Sequence, residues 1–284
     1  MNWWKKLFKE STGNTKVTPL DEESPKDYSD KLIPYDNDAL DEVAPVVVTE
    51  DGTVTSALDH EEPMITVEED PPLPNKKPIE PLDLMKVNYQ ASPNKSKRAS
   101  GETPLYIVLH HTGPGSFNGV VKWLCNKDAK ASAHYVLGAA AQLTQLVNTG
   151  KQAWHAGRAK WGDKLKNNSH SIGIEICNIG LMEKGADGAL YYEQGRSLKK
   201  YTGKVTPQAC QIVYPSGKVV EGYAVPYPEK QINKLVALCK ALIKKYPAIT
   251  RDNIITHHQV ATPEGRKNDP AGLDVEALKD MIFG

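Results

Sequence analysis

The chain has 284 residues, 35 Lys/Arg balanced by 35 Asp/Glu, and only 4 cysteines; that leaves room for one sizeable domain with extensions and argues against a disulfide scaffold or a zinc ribbon. The zero net charge hides an asymmetry. Residues 18–85 carry 19 acidic against 4 basic side chains, a net of −15, whereas residues 86–284 carry 27 basic against 15 acidic, a net of +12. Such a basic body suits a polyanionic partner, nucleic acid or bacterial wall polymer, and no stretch is apolar enough over a sufficient length to span a bilayer.

The start, MNWWKKLFKE, sets Trp3, Trp4, Leu7 and Phe8 beside Lys5, Lys6 and Lys9. No apolar run or small-residue cleavage site follows, so a secretory leader is not expected and synthesis in the cytoplasm is. The stretch reads as a frayed terminus, with a short interfacial helix as the alternative. Residues 12–85 are rich in Pro, Asp, Glu and Thr, as in DEESPKDYSDK and EEPMITVEEDPPLPNKKPIEP. A segment with so few aromatics and so much charge does not repay the entropy of ordering, so residues 1–85 read as a basic, aromatic start followed by a disordered acidic tether. Its apolar pieces APVVV and MITV could pair transiently or dock on a partner.

The folded body, residues 86–284, begins near KVNYQASPNKSKR. LYIVLHH (105–111) is a buried strand ending in two histidines. NGVVKWLCNK (118–127) predicts a short helix with Val121, Leu124 and Cys125 on one face. SAHYVLG and AQLTQLVN are two strands joined by a turn of small residues. SIGIEICN (171–178) alternates, with Gly173, Glu175 and Cys177 on one side and Ile172, Ile174 and Ile176 on the other. Residues 181–228, rich in Gly, Tyr and Lys, read as an insertion of loops and short strands. PEKQINKLVALCKALIKKYP gives the clearest helix, striped by Ile232, Leu235, Val236, Cys239, Leu242 and Ile243 and stopped by Pro247. NIITH returns as a strand. Alternation of strands and helices predicts a single α/β domain with a central mixed β-sheet flanked by helices.

Five residues, two at strand ends, one within a strand and two in the loop after a strand, could converge on an edge of that sheet: His110, Glu175, His257, Lys267 and Asp269. Two neutral imidazoles and a carboxylate form a three-ligand zinc centre with a fourth position left for water, the composition of a hydrolytic site. A carboxylate in an Ile-rich strand, Glu175, is costly unless paired or used, and there it could shuttle the water proton to a leaving nitrogen. Lys267 could stabilise a developing oxyanion. Taken singly, each histidine reads as a core residue, and that reading stands for His111, His134 and His258.

On this set of motifs the sequence resembles the zinc N-acetylmuramoyl-L-alanine amidases of the type 2 amidase and peptidoglycan-recognition-protein fold, across roughly residues 90–280. SPNKSKR and YIVLHHT are similar to the family's opening segment and first ligand strand; SAHYVL, QLTQLV and AWHAG to its central strands and substrate-groove turn. NNSHSIGIEICN resembles the strand bearing the acid/base, and ITHHQVATPEGRKNDPAG the second ligand and the GRK-x-DPG signature. The resemblance implies one zinc per chain on His110, His257 and Asp269, with Glu175 and Lys267 catalytic. It places Trp154, His155 and Asn178 at the substrate, the alternative for Trp154 and His155 being packing beneath the groove. Cys177 is a buried neighbour.

Three departures accompany the match. Thr262 and Glu264 look inserted between His257 and Asp269; H-x-Q-V-A fits the ligand segment only with His257, which is therefore preferred to His258. Ala133 stands where some lysins carry a tyrosine near the metal, and DPAG replaces DPG. The implied function is hydrolysis of the bond between N-acetylmuramoyl and L-alanine in peptidoglycan or muropeptides. The acidic tether and the insertion favour a phage lysin or virion-associated wall enzyme over a cytosolic muropeptide-recycling amidase. A non-catalytic peptidoglycan-binding module is a rival. A nucleic-acid partner has no helix-turn-helix, RNA-recognition or zinc-finger pattern to support it; stable membrane insertion is not expected, and the acidic N-terminal tether could take a partner.

Overall fold

A computed structural model of the chain describes residues 87–99, 102–162 and 168–284, together with the backbone of one antiparallel strand pair nearer the N-terminus, β1 (Val47–Val48) with β2 (Val54–Thr55). That pair begins within APVVV; the rest of the expected tether and the MNWWKKLFKE start lie outside the described residues. Among the described residues, no helix is long and apolar enough to cross a membrane.

The centre is a six-stranded mixed sheet in the order β15 (Ile254–Thr256), β5 (Tyr106–His111), β9 (Ser171–Ile176), β6 (Tyr135–Leu137), β7 (Leu143–Gln145), β3 (Asn88–Tyr89). The first four strands run parallel, β7 is antiparallel to β6, and β3 is parallel to β7. Parallel strands must be covered on both faces, which explains why YIVL and SIGI read as continuous apolar runs.

One face is closed by α2 (Glu229–Lys245) and α4 (Val275–Phe283). Ile107, Leu109, Ile172, Ile174 and Ile176 meet Leu235, Leu238, Cys239 and Leu242 of α2 and Leu278 and Ile282 of α4 in one core. Ile232 and Ile243, at the margins of the predicted stripe, are only partly buried. A polar residue the stripe did not foresee sits among them: buried Gln231 donates from Nε2 to the carbonyls of Leu137 (3.2 Å) and Cys177 (3.1 Å), closing the chain where β6 and β9 end. The opposite face packs α1 (Phe117–Leu124) against Ala133, Val136, Leu146 and Val147. This helix is shorter than expected. Ser116 caps its start by accepting from the Gly119 N–H, and it ends at Leu124, leaving Cys125 as the cap residue.

The insertion is more regular than the expected mixture of loops and short strands. Residues 181–228 hold a second, antiparallel sheet of five strands in the order β12 (Ser197–Lys200), β11 (Leu190–Gln194), β10 (Met182–Lys184), β14 (Val219–Ala224), β13 (Gln208–Val213). Its tight turns use Gly188, Gly195 and Gly217 at positive φ, which supplies the left-handed backbone that hairpins need. A small pair, β4 (Lys95–Lys97) with β8 (Lys151–Ala153), completes the domain. All four cysteines are free thiols, Cys239 buried and the others half-buried.

Candidate metal centre and active site

The site lies at the carboxyl ends of the parallel strands. His110 is the penultimate residue of β5, and Glu175 is its register partner on β9, so the two side chains leave the sheet together on the face opposite α2. β15 delivers His257 directly into α3 (His257–Val260), a single turn whose start is fixed by a capping box between Thr256 and Gln259. The Thr256 N–H donates to Gln259 Oε1 at 2.9 Å, so the T-x-x-Q spelling in the sequence locks the first helical residue, His257, against the sheet. Asp269 arrives from the following loop.

The three side chains meet. Nδ1 of His110 and Nδ1 of His257 are 2.9 Å apart, and Asp269 Oδ2 lies 3.2 Å from the first and 2.9 Å from the second. Each residue offers one ligand atom to a shared point, and all three residues are buried. Three lone-pair donors directed at one another repel unless a cation stands among them, so the donor set fits a metal ion.

The remaining ring nitrogens are committed in the way that fit requires. His257 Nε2 lies 3.2 Å from the Ala156 carbonyl, an acceptor, so it carries the proton and leaves Nδ1 bare. Arg266 also donates to that carbonyl, at 3.1 Å, and to the Arg158 carbonyl at 2.9 Å. His110 Nε2 is 3.0 Å from His155 Nδ1, and His155 Nε2 is 3.1 Å from the Ser171 hydroxyl. A proton on each Nε2 satisfies that whole chain and again leaves His110 Nδ1 free. The loop carrying His155 is fixed from behind, because Asn168 Oδ1 accepts from the backbone N–H groups of His155 and Ala156. Arg98 in turn donates to the carbonyls of Thr149, Asn168, Ser169 and Ser171.

Electrostatics agree with these roles. Burial, with His257 as the next contribution, lowers the His110 pKa to about 4, so the ring is a neutral ligand. Burial opposes ionisation of Asp269, but His257 and His110 outweigh it and hold the carboxyl well below its usual range. Glu175 behaves oppositely. Burial first, then the Asp269 charge, push its pKa up to about 8 against the pull of Lys267. Its Oε2 is covered and has no hydrogen-bond partner. An orphaned carboxylate oxygen beside a metal-type cluster, poised near neutrality, is an acid/base group awaiting its proton donor.

Other residues take positions that the motifs did not show. Asn178 bonds backbone with both ends of its amide, Nδ2 donating to the Val225 carbonyl at 2.9 Å and Oδ1 accepting from the Gly180 N–H at 3.0 Å, so it braces the exit of β9. Trp154 directs its indole N–H to Ser96 Oγ, 3.2 Å away on β4. His155 stands behind His110, with both ring nitrogens engaged. His258 turns away from the centre: its Nδ1 is 3.2 Å from the Asp269 carbonyl, and its backbone N–H donates to the same oxygen at 2.9 Å. His111, half-buried, accepts from the Ala271 N–H at 3.0 Å, and His134, in the core, accepts from the Gly173 N–H at 3.0 Å.

A family profile described as N-acetylmuramoyl-L-alanine amidase matches residues 100–272. The 1,6-anhydro-N-acetylmuramyl-L-alanine amidase AmpD of Enterobacter cloacae is 29% identical over 206 residues, which cover 66% of this chain and 84% of AmpD. The N-acetylmuramoyl-L-alanine amidase AmiD of Escherichia coli (strain K12) is 26% identical over 195 residues, 66% of this chain and 56% of AmiD. Among solved structures, an AmpD crystal structure aligns at 23% identity with a TM-score of 0.47, covering 69% of this chain and 94% of that one. The profile spans well over half of the sequence, from just before β5 to just past Asp269, and the chain belongs to the N-acetylmuramoyl-L-alanine amidase family.

Proposed function

We propose that this protein is a zinc-dependent hydrolase of the amide between the lactyl group of N-acetylmuramic acid and L-alanine. The observation that carries the reading is the convergence of two imidazole nitrogens and a carboxylate oxygen beside a buried carboxylate with an unpartnered oxygen. His110, His257 and Asp269 would hold the zinc, which when bound supplies a Lewis acid and brings the pKa of water down to roughly 7.

The chain's own groups do the rest. Glu175 accepts the proton of the attacking water as the new carbon–oxygen bond forms, then delivers it to the alanine nitrogen as the carbon–nitrogen bond breaks. A carboxyl with its pKa raised towards neutrality can do both. Lys267, whose positive charge acts on His110 and Glu175, would stabilise the oxygen that gains negative charge. His155 and Ser171 keep His110 in the ligand tautomer, and Ala156 with Arg266 does the same for His257.

For the substrate's physical form, intact wall peptidoglycan is proposed, with action as a lysin or virion-associated enzyme. The strong acidity of residues 18–85 supports it, since recycling of small fragments has no need of such a segment. One observation favours soluble muropeptides instead: AmpD, which aligns over 84% of its length, is named for 1,6-anhydro-N-acetylmuramyl-L-alanine. The test is release of free alanine amino groups from purified sacculi and from soluble N-acetylmuramoyl peptides, with and without a chelator. Chelator-sensitive release from either establishes the amidase, and the faster substrate decides between the two roles. No release from both, with zinc bound, would leave a binding module.

A further inference from the structure

We infer that the second sheet is part of the catalytic apparatus and that Tyr214, at its hairpin tip, is a positioning residue for the segment carrying Lys267 and Asp269. The inference rests on the amidase reading for its catalytic half. Its structural half stands on contacts alone.

Residues 262–269 supply a ligand and the site's cation, yet they contain no helix or strand, and Thr262, Pro263, Glu264, Gly265 and Asn268 are exposed. A segment of this kind has little intrinsic reason to hold two side chains in fixed places. The β13–β14 hairpin supplies the reason. Tyr214, 4% exposed, donates from its hydroxyl to the Lys267 carbonyl at 3.0 Å. The edge of its ring meets His258, with centroids 5.8 Å apart and planes at 80°. His258 in turn grips the Asp269 carbonyl through both its ring and its backbone N–H. One aromatic side chain therefore touches the Lys267 backbone directly and the Asp269 backbone through a single intermediate.

The same hairpin holds the segment's other end. The Ser216 N–H donates to Glu264 Oε2 at 3.0 Å, and its hydroxyl bonds Glu264 Oε1. Beyond Asp269, Ala271 joins Ile212, Tyr214 and Ala224 of the second sheet in a buried cluster, and the Tyr227 hydroxyl donates to the Ala271 carbonyl at 3.1 Å. The insertion thus clasps the ligand loop at Glu264, Lys267 and Ala271, and reaches Asp269 through His258. Glu264, an extra residue by comparison with the family pattern, is matched to Ser216 across the two elements.

The two halves of the Tyr214 contact are separable. Tyr214→Ala removes ring and hydroxyl, freeing both His258 and Lys267, and zinc affinity measured against a chromophoric chelator is expected to fall about 10–100-fold, the range for lost outer partners of a metal ligand. Tyr214→Phe keeps the ring against His258 and loses only the hydroxyl on Lys267. It is expected to restore zinc affinity while kcat stays about 10-fold down with KM little changed. Combining Tyr214→Phe with Lys267→Ala should give no further loss of kcat, because the tyrosine hydroxyl acts through that lysine. Gln211→Ala, on the exposed side of β13 in the same hairpin, is the control and should match the parent.

Parental zinc affinity in a folded Tyr214→Ala, or kcat losses that multiply in the double variant, would overturn the inference. If the parent binds zinc but hydrolyses no muramoyl amide, the amidase reading fails, and the zinc arm alone still decides whether the sheet positions the ligand loop. Should Tyr214→Ala not fold, the Tyr214→Phe cycle and the affinity of Ser216→Gly carry the decision.

Discussion

Replacing Glu175 with glutamine should make the metal-free protein more stable while nearly abolishing turnover. A carboxyl with a pKa of about 8 in the fold and about 4.5 in the unfolded chain must take up a proton on folding at any pH between those values. At pH 7 that uptake costs about 1.4 kcal/mol for each of roughly 2.5 pH units, on the order of 3 kcal/mol. The sign follows from proton counting. Between pH 4.5 and 8 the native state binds more protons than the unfolded state, so stability falls as pH rises through that window. Glutamine has nearly the same shape and leaves the same covered atom unpartnered, but takes up no proton. Urea unfolding of chelated parent and Glu175→Gln should therefore give a difference growing from under about 1 kcal/mol at pH 5 to about 3 kcal/mol at pH 7. Adding zinc should shrink it, since a nearby cation favours the carboxylate. Turnover by the zinc-loaded variant should fall ~10²–10⁴-fold, the usual worth of a general acid–base group. A pH-independent difference would show the carboxylate ionised in the fold, held by Lys267. Parental turnover in the variant would mean that another group moves the proton.

Further outcomes follow from the same geometry. His257→Ala should lose zinc outright, whereas His258→Ala should only weaken it, about 10–100-fold by freeing the Asp269 backbone, and His155→Ala should weaken it as much by releasing the His110 tautomer, all measurable by chelator competition. His134, fully buried with its pKa lowered to about 3 by burial and then by Arg98, binds fewer protons folded than unfolded between about pH 3 and 6.5. Its contribution is intact above pH 6.5 and is lost as pH falls, by about 2 kcal/mol at pH 5; acid titration of His134→Gln should show a correspondingly shallower loss. Removing residues 1–85 should leave turnover on soluble muropeptides comparable to the full chain, and an inactive or unfolded truncation would mean that part of that segment completes the domain.

What the sequence made visible is what repeats along it or sits at a fixed spacing. YIVLHH and SIGIEI announce buried parallel strands because both faces of such strands are apolar, and the α2 stripe is the helical version of the same signal. His110, Glu175, His257, Lys267 and Asp269 stood out as polar groups at the ends of, or just beyond, apolar runs. Gln231 was lost in the α2 stripe because its partners are the carbonyls of Leu137 and Cys177, nearly 100 and just over 50 residues away. Arg266 was similarly hidden: its acceptors, at Ala156 and Arg158, lie 110 and 108 positions back. Short strands were expected in the insertion, but their pairing into one sheet went unread because β11 and β12 are short, carry charges, and are half-exposed or fully exposed, so no apolar period marks them. Asn178 was expected at the substrate from the family resemblance alone; its bonds to the backbone of Val225 and Gly180 had no signal in the sequence. The T-x-x-Q box was present in the letters and would have favoured His257 without any family pattern.

Two glycines near the centre have no side chain because an imidazole needs the room. A Cβ on Gly173 would lie under 3.0 Å from ring atoms of His155, and one on Gly180, whose φ is +91°, would meet the ring of His111. Each glycine is therefore tied to its histidine, since it cannot gain a side chain while the imidazole stays where it is. Alanine at 173 would displace His155 and, through it, disturb a ligand two residues removed from the change. In a saturation screen scored by zinc retention, position 173 should be about as intolerant as position 110, although it has no functional group at all. A designer grafting this centre onto another sheet would have to carry over two gaps as faithfully as three ligands.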